Sequence, residues 1–202
     1  DHLEELWHGK VDTVKVQLAG PFTLAAEIEM ANGHRMITDA GALRDLTDAL
    51  LEVCVGHRRD VEKRFGKSVL QLDEPRLPEV IAGTLQGATD FETIRAIPEP
   101  EETLARFGEH LLHTPKLIDA PWLTCDPHRA DKDALARLLD GGSRIAIPTM
   151  APRELYRVFD ELQIDPAETT VDVYAESAAT LVATAANYRA AREMAEALTV
   201  EV

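Results

Sequence analysis

The chain has 202 residues, of which 45% are hydrophobic and 28% charged, an ordinary balance for a soluble globular protein. Its 21 basic residues face 36 acids for a net charge of −15, which argues against nucleic acid and against anionic membrane surfaces as partners. Two cysteines, Cys54 and Cys125, make a disulfide scaffold implausible and point to the cytoplasm, and no apolar run approaches the ~20 residues of a spanning helix.

Val14, Val16 and Leu18 alternate in "VKVQLAGP" (14–21), which predicts a strand closed by Gly20-Pro21. A short helix follows at 22–31. Residues 39–65 predict a long helix, with Asp39 as N-cap, Gly66 as its stop, and Leu43, Leu46, Leu50, Val53 and Val61 on one face. Cys54 reads as core, and His34 and His57 as solvated. The apolar run at 69–72 predicts a second strand, which breaks into Asp73-Glu74-Pro75 and a loop carrying Arg76 and Glu79.

Further along, the pattern predicts a helix at 99–109 and short strands at 110–114 and 120–126. It then predicts a helix at 131–140 closed by Gly141-Gly142, a strand at 144–150, a helix at 152–163, a strand at 169–177 and a helix at 179–198. About six strands separated by helices mean βαβ units and a parallel sheet. One spacing resists this scheme: the seven residues Pro115 to Pro121 are too few for a parallel crossover. Glycine-rich phosphate loops of the GxGxxG or Walker type are absent from the sequence.

Parallel α/β proteins hold ligands at the C-terminal ends of their strands. There the sequence places Asp73, Glu74 and Glu79, then His113, then Cys125 and Asp126 with His128 nearby, and finally Glu176 and Ser177. A single acid at a strand end most often caps the turn that follows. Two adjacent acids are harder to explain that way, since one suffices for a cap and the other bears the cost of desolvation. His113, Cys125 and Asp126 are the candidate metal ligands, set against the plainer reading of Cys125 as a small buried hydrophobe.

"QLDEP" (71–75) with Glu79 four residues on, and "LAGPFTLA" (18–25) about fifty residues earlier, resemble the C-terminal barrel of cobalamin-independent methionine synthases. The short actinobacterial-type members are the nearest in pattern, and the resemblance runs over 14–198. It implies a (β/α)8 TIM barrel of the methionine synthase/uroporphyrinogen decarboxylase type, lacking its first two βα units here. Residues 1–202 would then be one barrel domain, the C-terminal portion of a longer chain. It also implies methyl transfer from a methylated folate to the thiol of homocysteine, with zinc lowering the thiol pKa. Asp73 would hold the amino group, with Glu74 beside it, and Glu79 would lie on the folate side.

The zinc motif departs from the family pattern. His113 is kept in "HTP", but Pro115 stands at an expected Cys, Asp126 is the nearest substitute for an expected Glu, and Ser177 in "ESA" replaces the late Cys. The expected catalytic His is missing from "IPTMAP" (147–152). Two further readings therefore stand beside methyl transfer. One is a diverged paralogue that binds a small amino acid or pterin without turnover. The other is a decarboxylase on the same barrel, disfavoured because Arg76 is the lone basic residue in the loop after the acids. Association into a homo-oligomer stays open at this level.

Overall fold

The computed structural model describes residues 2–7, 9–11, 13–89, 91–150, 152–163, 171–174 and 198–201. The chain divides into two compact units, Asp1–Thr114 and Pro115–Val202. The division falls at the short 115–121 stretch that cannot carry a crossover helix.

The first unit runs α1 (His2–Trp7), β1 (Thr13–Ala19), α2 (Pro21–Glu27), a 3-10 turn (Met36–Thr38), α3 (Ala40–Phe65), β2 (Lys67–Asp73), α4 (Leu77–Ala82), α5 (Glu101–Ala105) and β3 (Leu111–His113). The three strands are parallel in chain order, with Ala19 opposite Asp73 and Asp73 opposite His113. Side chains alternate between sheet faces, so residue parity sorts them. Val16, Leu70, Leu72 and Leu112 lie on one face and are buried. That face meets α3, whose Arg58 donates from Nε to Ser68 Oγ at 2.9 Å. The other face carries Lys15, Gln17, Gln71, Asp73 and His113.

Helix α3 forms as the sequence predicts. Asp39 accepts hydrogen bonds from the Gly41 and Ala42 amides at 2.8 and 2.9 Å, which satisfies donors that the first turn leaves free. Its buried stripe is Thr47, Cys54 and Val61, spaced by seven, while Val53 is 60% exposed. Val61 and Cys54 are buried as expected, whereas Val53 faces solvent and Thr47 joins the stripe. Thr47 enters it because its hydroxyl donates to the Leu43 carbonyl at 2.7 Å, so no polar atom is stranded. Besides the 3-10 turn, two α-helices were not foreseen in this unit. Helix α1 brings Trp7 to Phe65, ring centroids 5.9 Å apart. Helix α4 forms where a loop was expected, because Pro78 falls in its first turn and Gly83 ends it in the left-handed region at φ 65°. The expected helix at 99–109 is shorter, Glu101–Ala105.

The second unit runs β4 (Trp122–Thr124), α6 (Lys132–Asp140), β5 (Arg144–Pro148), α7 (Pro152–Leu162), β6 (Val171–Tyr174) and β7 (Leu198–Glu201). Its four strands are also parallel and paired in chain order. Leu123, Leu135, Ile145, Ile147, Val158 and Phe159 are buried. Asp131 caps α6 by accepting from the Ala134 amide at 2.9 Å. Fully buried Asp172 on β6 is held by the Arg144 guanidinium at 2.5 and 2.7 Å, and that guanidinium lies 4.1 Å from the centroid of the Trp122 ring. The helix expected at 179–198 lies outside the described residues except for Leu198, which opens strand β7. Both units are therefore mixed α/β with parallel strands. Among the described residues no helix is long and apolar enough to cross a membrane.

Candidate functional site

The acids of "QLDEP" part company at the end of β2. Asp73 is the last strand residue and faces the polar side of the sheet, partly exposed. Glu74 turns the opposite way and is fully buried. Its Oε1 accepts the Phe22 amide at 3.0 Å, and its Oε2 accepts the Thr23 amide and hydroxyl at 2.7 and 2.6 Å. These are donors of the first turn of α2, so Glu74 supplies the acceptors that Gly20, at the N-cap position, has no side chain to provide. Gly20 is required by the same contact, since a Cβ there would lie 2.2 Å from Glu74 Oε1. Burial raises the Glu74 pKa to about 7, against the pull of those three hydrogen bonds, with the Asp73 charge adding to the rise. Glu74, expected beside the substrate, thus has no exposed surface and both of its oxygens engaged by α2.

Asp73 sits in a chain of polar side chains on β1 and β2. Lys15 Nζ donates to Gln71 Oε1 at 2.8 Å, and Gln71 Nε2 donates to Asp73 Oδ1 at 2.7 Å. Gln17 Nε2 donates to Asp73 Oδ2 at 2.5 Å. Both carboxylate oxygens are thus oriented by neutral amides. Among the described residues no Lys or Arg forms an ion pair with Asp73. His113 is exposed and stands opposite Asp73 in the strand register.

Glu79 lies on α4 and pairs with Arg76 at 3.1 Å, while Arg76 Nε contacts Glu27 of α2 at 2.9 Å as an ion contact rather than a directed hydrogen bond. The Arg76 amide also donates to Thr23 Oγ1 at 3.3 Å. Glu79 therefore belongs to a strap joining α4 to α2, with 41% of its side chain still exposed. His34, assigned to solvent by the sequence, is half exposed and pairs with Glu92 at 2.8 Å, which holds the Glu92 carboxyl below its usual range.

In the second unit Cys125 is buried, and burial together with the neighbouring Asp126 charge pushes its thiol up to about 12. Asp126 Oδ1 accepts the His128 amide at 3.0 Å, closing the turn after β4, and His128 Nε2 lies 3.0 Å from Glu154. Ser177 lies outside the described residues. Among the described residues no three His, Cys, Asp or Glu side chains form a group that could hold a metal ion. Of the residues expected to hold zinc, Cys125 is buried, Asp126 closes a turn through Oδ1, and His113 is exposed.

Three residues of the polar chain escaped the sequence reading: Lys15, Gln17 and Gln71. Their signal was present. A parallel strand covered on both faces reads as continuously apolar, whereas "VKVQLA" alternates and so announces one polar face. Comparison with family models, with curated proteins and with solved structures found no match.

Proposed function

We propose that the first unit binds the ammonium group of a small amino acid at Asp73, and that the chain forms the later βα units of a methionine-synthase-like (β/α)8 barrel. One observation carries the reading. Asp73 is a strand-end carboxylate whose oxygens are oriented by Gln17 and Gln71 while it lacks a cationic partner among the described residues. Glu79 and Asp172 differ, since arginines already neutralise them. A charged acceptor oriented by neutral donors is prepared for a cation arriving from solution.

Methyl transfer from a folate to a thiol is the second reading. It is favoured by the way the two stretches behind the resemblance meet: Ala19 registers with Asp73, and the Gly20 amide donates to the Asp73 carbonyl at 2.8 Å. Pro115, at the place of an expected Cys ligand, weighs against a zinc-thiolate route. Amino-acid binding is therefore the reading we carry forward. Calorimetric titration with L-methionine, and with 4-(methylthio)butanoate as the same molecule without its amine, tests it. The wild type should bind only the amine, and Asp73→Asn should weaken that binding about 10-fold or more, as expected for a lost charge-assisted hydrogen bond. Equal binding of the two probes, or an unaffected Asp73→Asn variant, would sink the reading.

A further inference from the structure

We infer that Lys15 is a positioning residue for Asp73, acting through Gln71 to fix that carboxylate as a site for hydrogen-bond donors. The inference deepens the amine-binding reading and rests on it for the identity of the ligand. The relay itself is a matter of geometry.

A glutamine side chain has a donor end and an acceptor end, and rotation by about 180° exchanges them. An ammonium group only donates, and an ionised carboxylate only accepts. Gln71 lies between one of each. Lys15 Nζ is 2.8 Å from Gln71 Oε1, and Gln71 Nε2 is 2.7 Å from Asp73 Oδ1. Both neighbours therefore demand the same orientation of the amide. Gln71 is 5% exposed, so water cannot readily substitute for either partner. The diagonals are built into the strands: Lys15 registers with Val69 and Gln17 with Gln71, yet each reaches the β2 side chain two residues further on. Without Lys15, Asp73 alone would hold the amide, and the buried Gln71 oxygen would lose its donor, loosening the side chain that orients the carboxylate. With Lys15 present, Asp73 keeps two amide donors and offers its remaining lone pairs to a ligand that donates. That ligand class is an ammonium, which can donate to the Asp73 lone pairs that Gln17 and Gln71 leave open. The positive charge of Lys15 stays one side chain removed from Asp73, so it orders the site without occupying it.

The relay can be tested without any ligand. Lys15 and Asp73 share no direct hydrogen bond, so coupling between them must pass through Gln71 or through space. Urea denaturation of Lys15→Met, Asp73→Asn and the double variant should show non-additivity of about threefold or more in the unfolding equilibrium constant. The same cycle in a Gln71→Leu background should show clearly weaker coupling, leaving only the through-space attraction of the two charges. Coupling that is absent at the start, or that survives Gln71→Leu unchanged, would overturn the relay. Circular dichroism of each variant confirms that the comparison is made between folded proteins, and Lys15→Arg, which keeps the donors, should restore the wild-type value. With L-methionine as probe, Lys15→Met should weaken binding and Lys15→Arg should recover it. If Asp73→Asn leaves methionine binding unchanged, the amine reading fails while the ligand-free cycle still decides the relay.

Discussion

Glu74 and Gly20 show how two residues can depend on each other more than on their neighbours in sequence. Glu74 is the acceptor for the first turn of α2, and Gly20 is the gap that admits it. Gly20 has φ −77°, so alanine there would meet no backbone strain, and its penalty is purely steric. Gly20→Ala should cost about 1–3 kcal/mol by overpacking and much less in a Glu74→Ala background. Glu74→Ala alone strands two buried amides and should cost at least ~2 kcal/mol in chemical denaturation. The pH dependence has a definite sign. The folded pKa of about 7 lies above the ordinary 4.5, so the native state holds the proton longer than the unfolded one. The contribution of Glu74 is then greatest below pH 4.5 and is lost as pH rises to about 7. Wild type should lose stability relative to Glu74→Gln across that window. A constant difference between them would show that Glu74 does not titrate there.

At the scale of elements, the Asp39 cap was readable and the buried faces were so only in part. Asp39 and Asp131 are helix starts whose side chains bond their own first turns, a local interaction that needs no tertiary contact. Asp39→Ala should therefore destabilise by about 1 kcal/mol, with the loss appearing first as fraying of the 40–43 amides in hydrogen exchange. The face of α3 was legible only in part. Hydrophobicity favoured Val53, which is exposed, while Thr47 is buried beside the expected Cys54 and Val61. A threonine that bonds its own helix backbone is apolar in effect, and a scale of side-chain hydrophobicity cannot know that it will do so. Helix α4 was hidden in the same way: Pro78 reads as a breaker until its place in the first turn is known.

The whole molecule carries a net charge of −15. Its ion pairs are mostly exposed, such as Arg64–Asp60 and Arg106–Asp48, and exposed pairs contribute little. Self-repulsion among the excess acids should dominate, so raising sodium chloride from about 0.01 M to about 0.5 M should stabilise the fold. An increase of about 2–4 °C in Tm corresponds to about 1 kcal/mol for a chain of this size. A fall in Tm would mean that attractive pairs outweigh the repulsion.

Alternating strands and helices, the parallel sense of pairing and the Asp39 cap followed from the sequence by itself, because periodicity and capping are set by residues a few positions apart. The sequence also singled out "QLDEP" as a place where carboxylates need a reason. Only the tertiary structure could divide the two acids, sending Glu74 into the core to hold α2 and leaving Asp73 on the polar face. That division depends on residues more than fifty positions away: Gly20, Phe22 and Thr23 for one acid, and Lys15 and Gln17, with Gln71 nearby on β2, for the other. Adjacent residues of a strand point to opposite faces, so their fates are decided by whatever the fold places on each side.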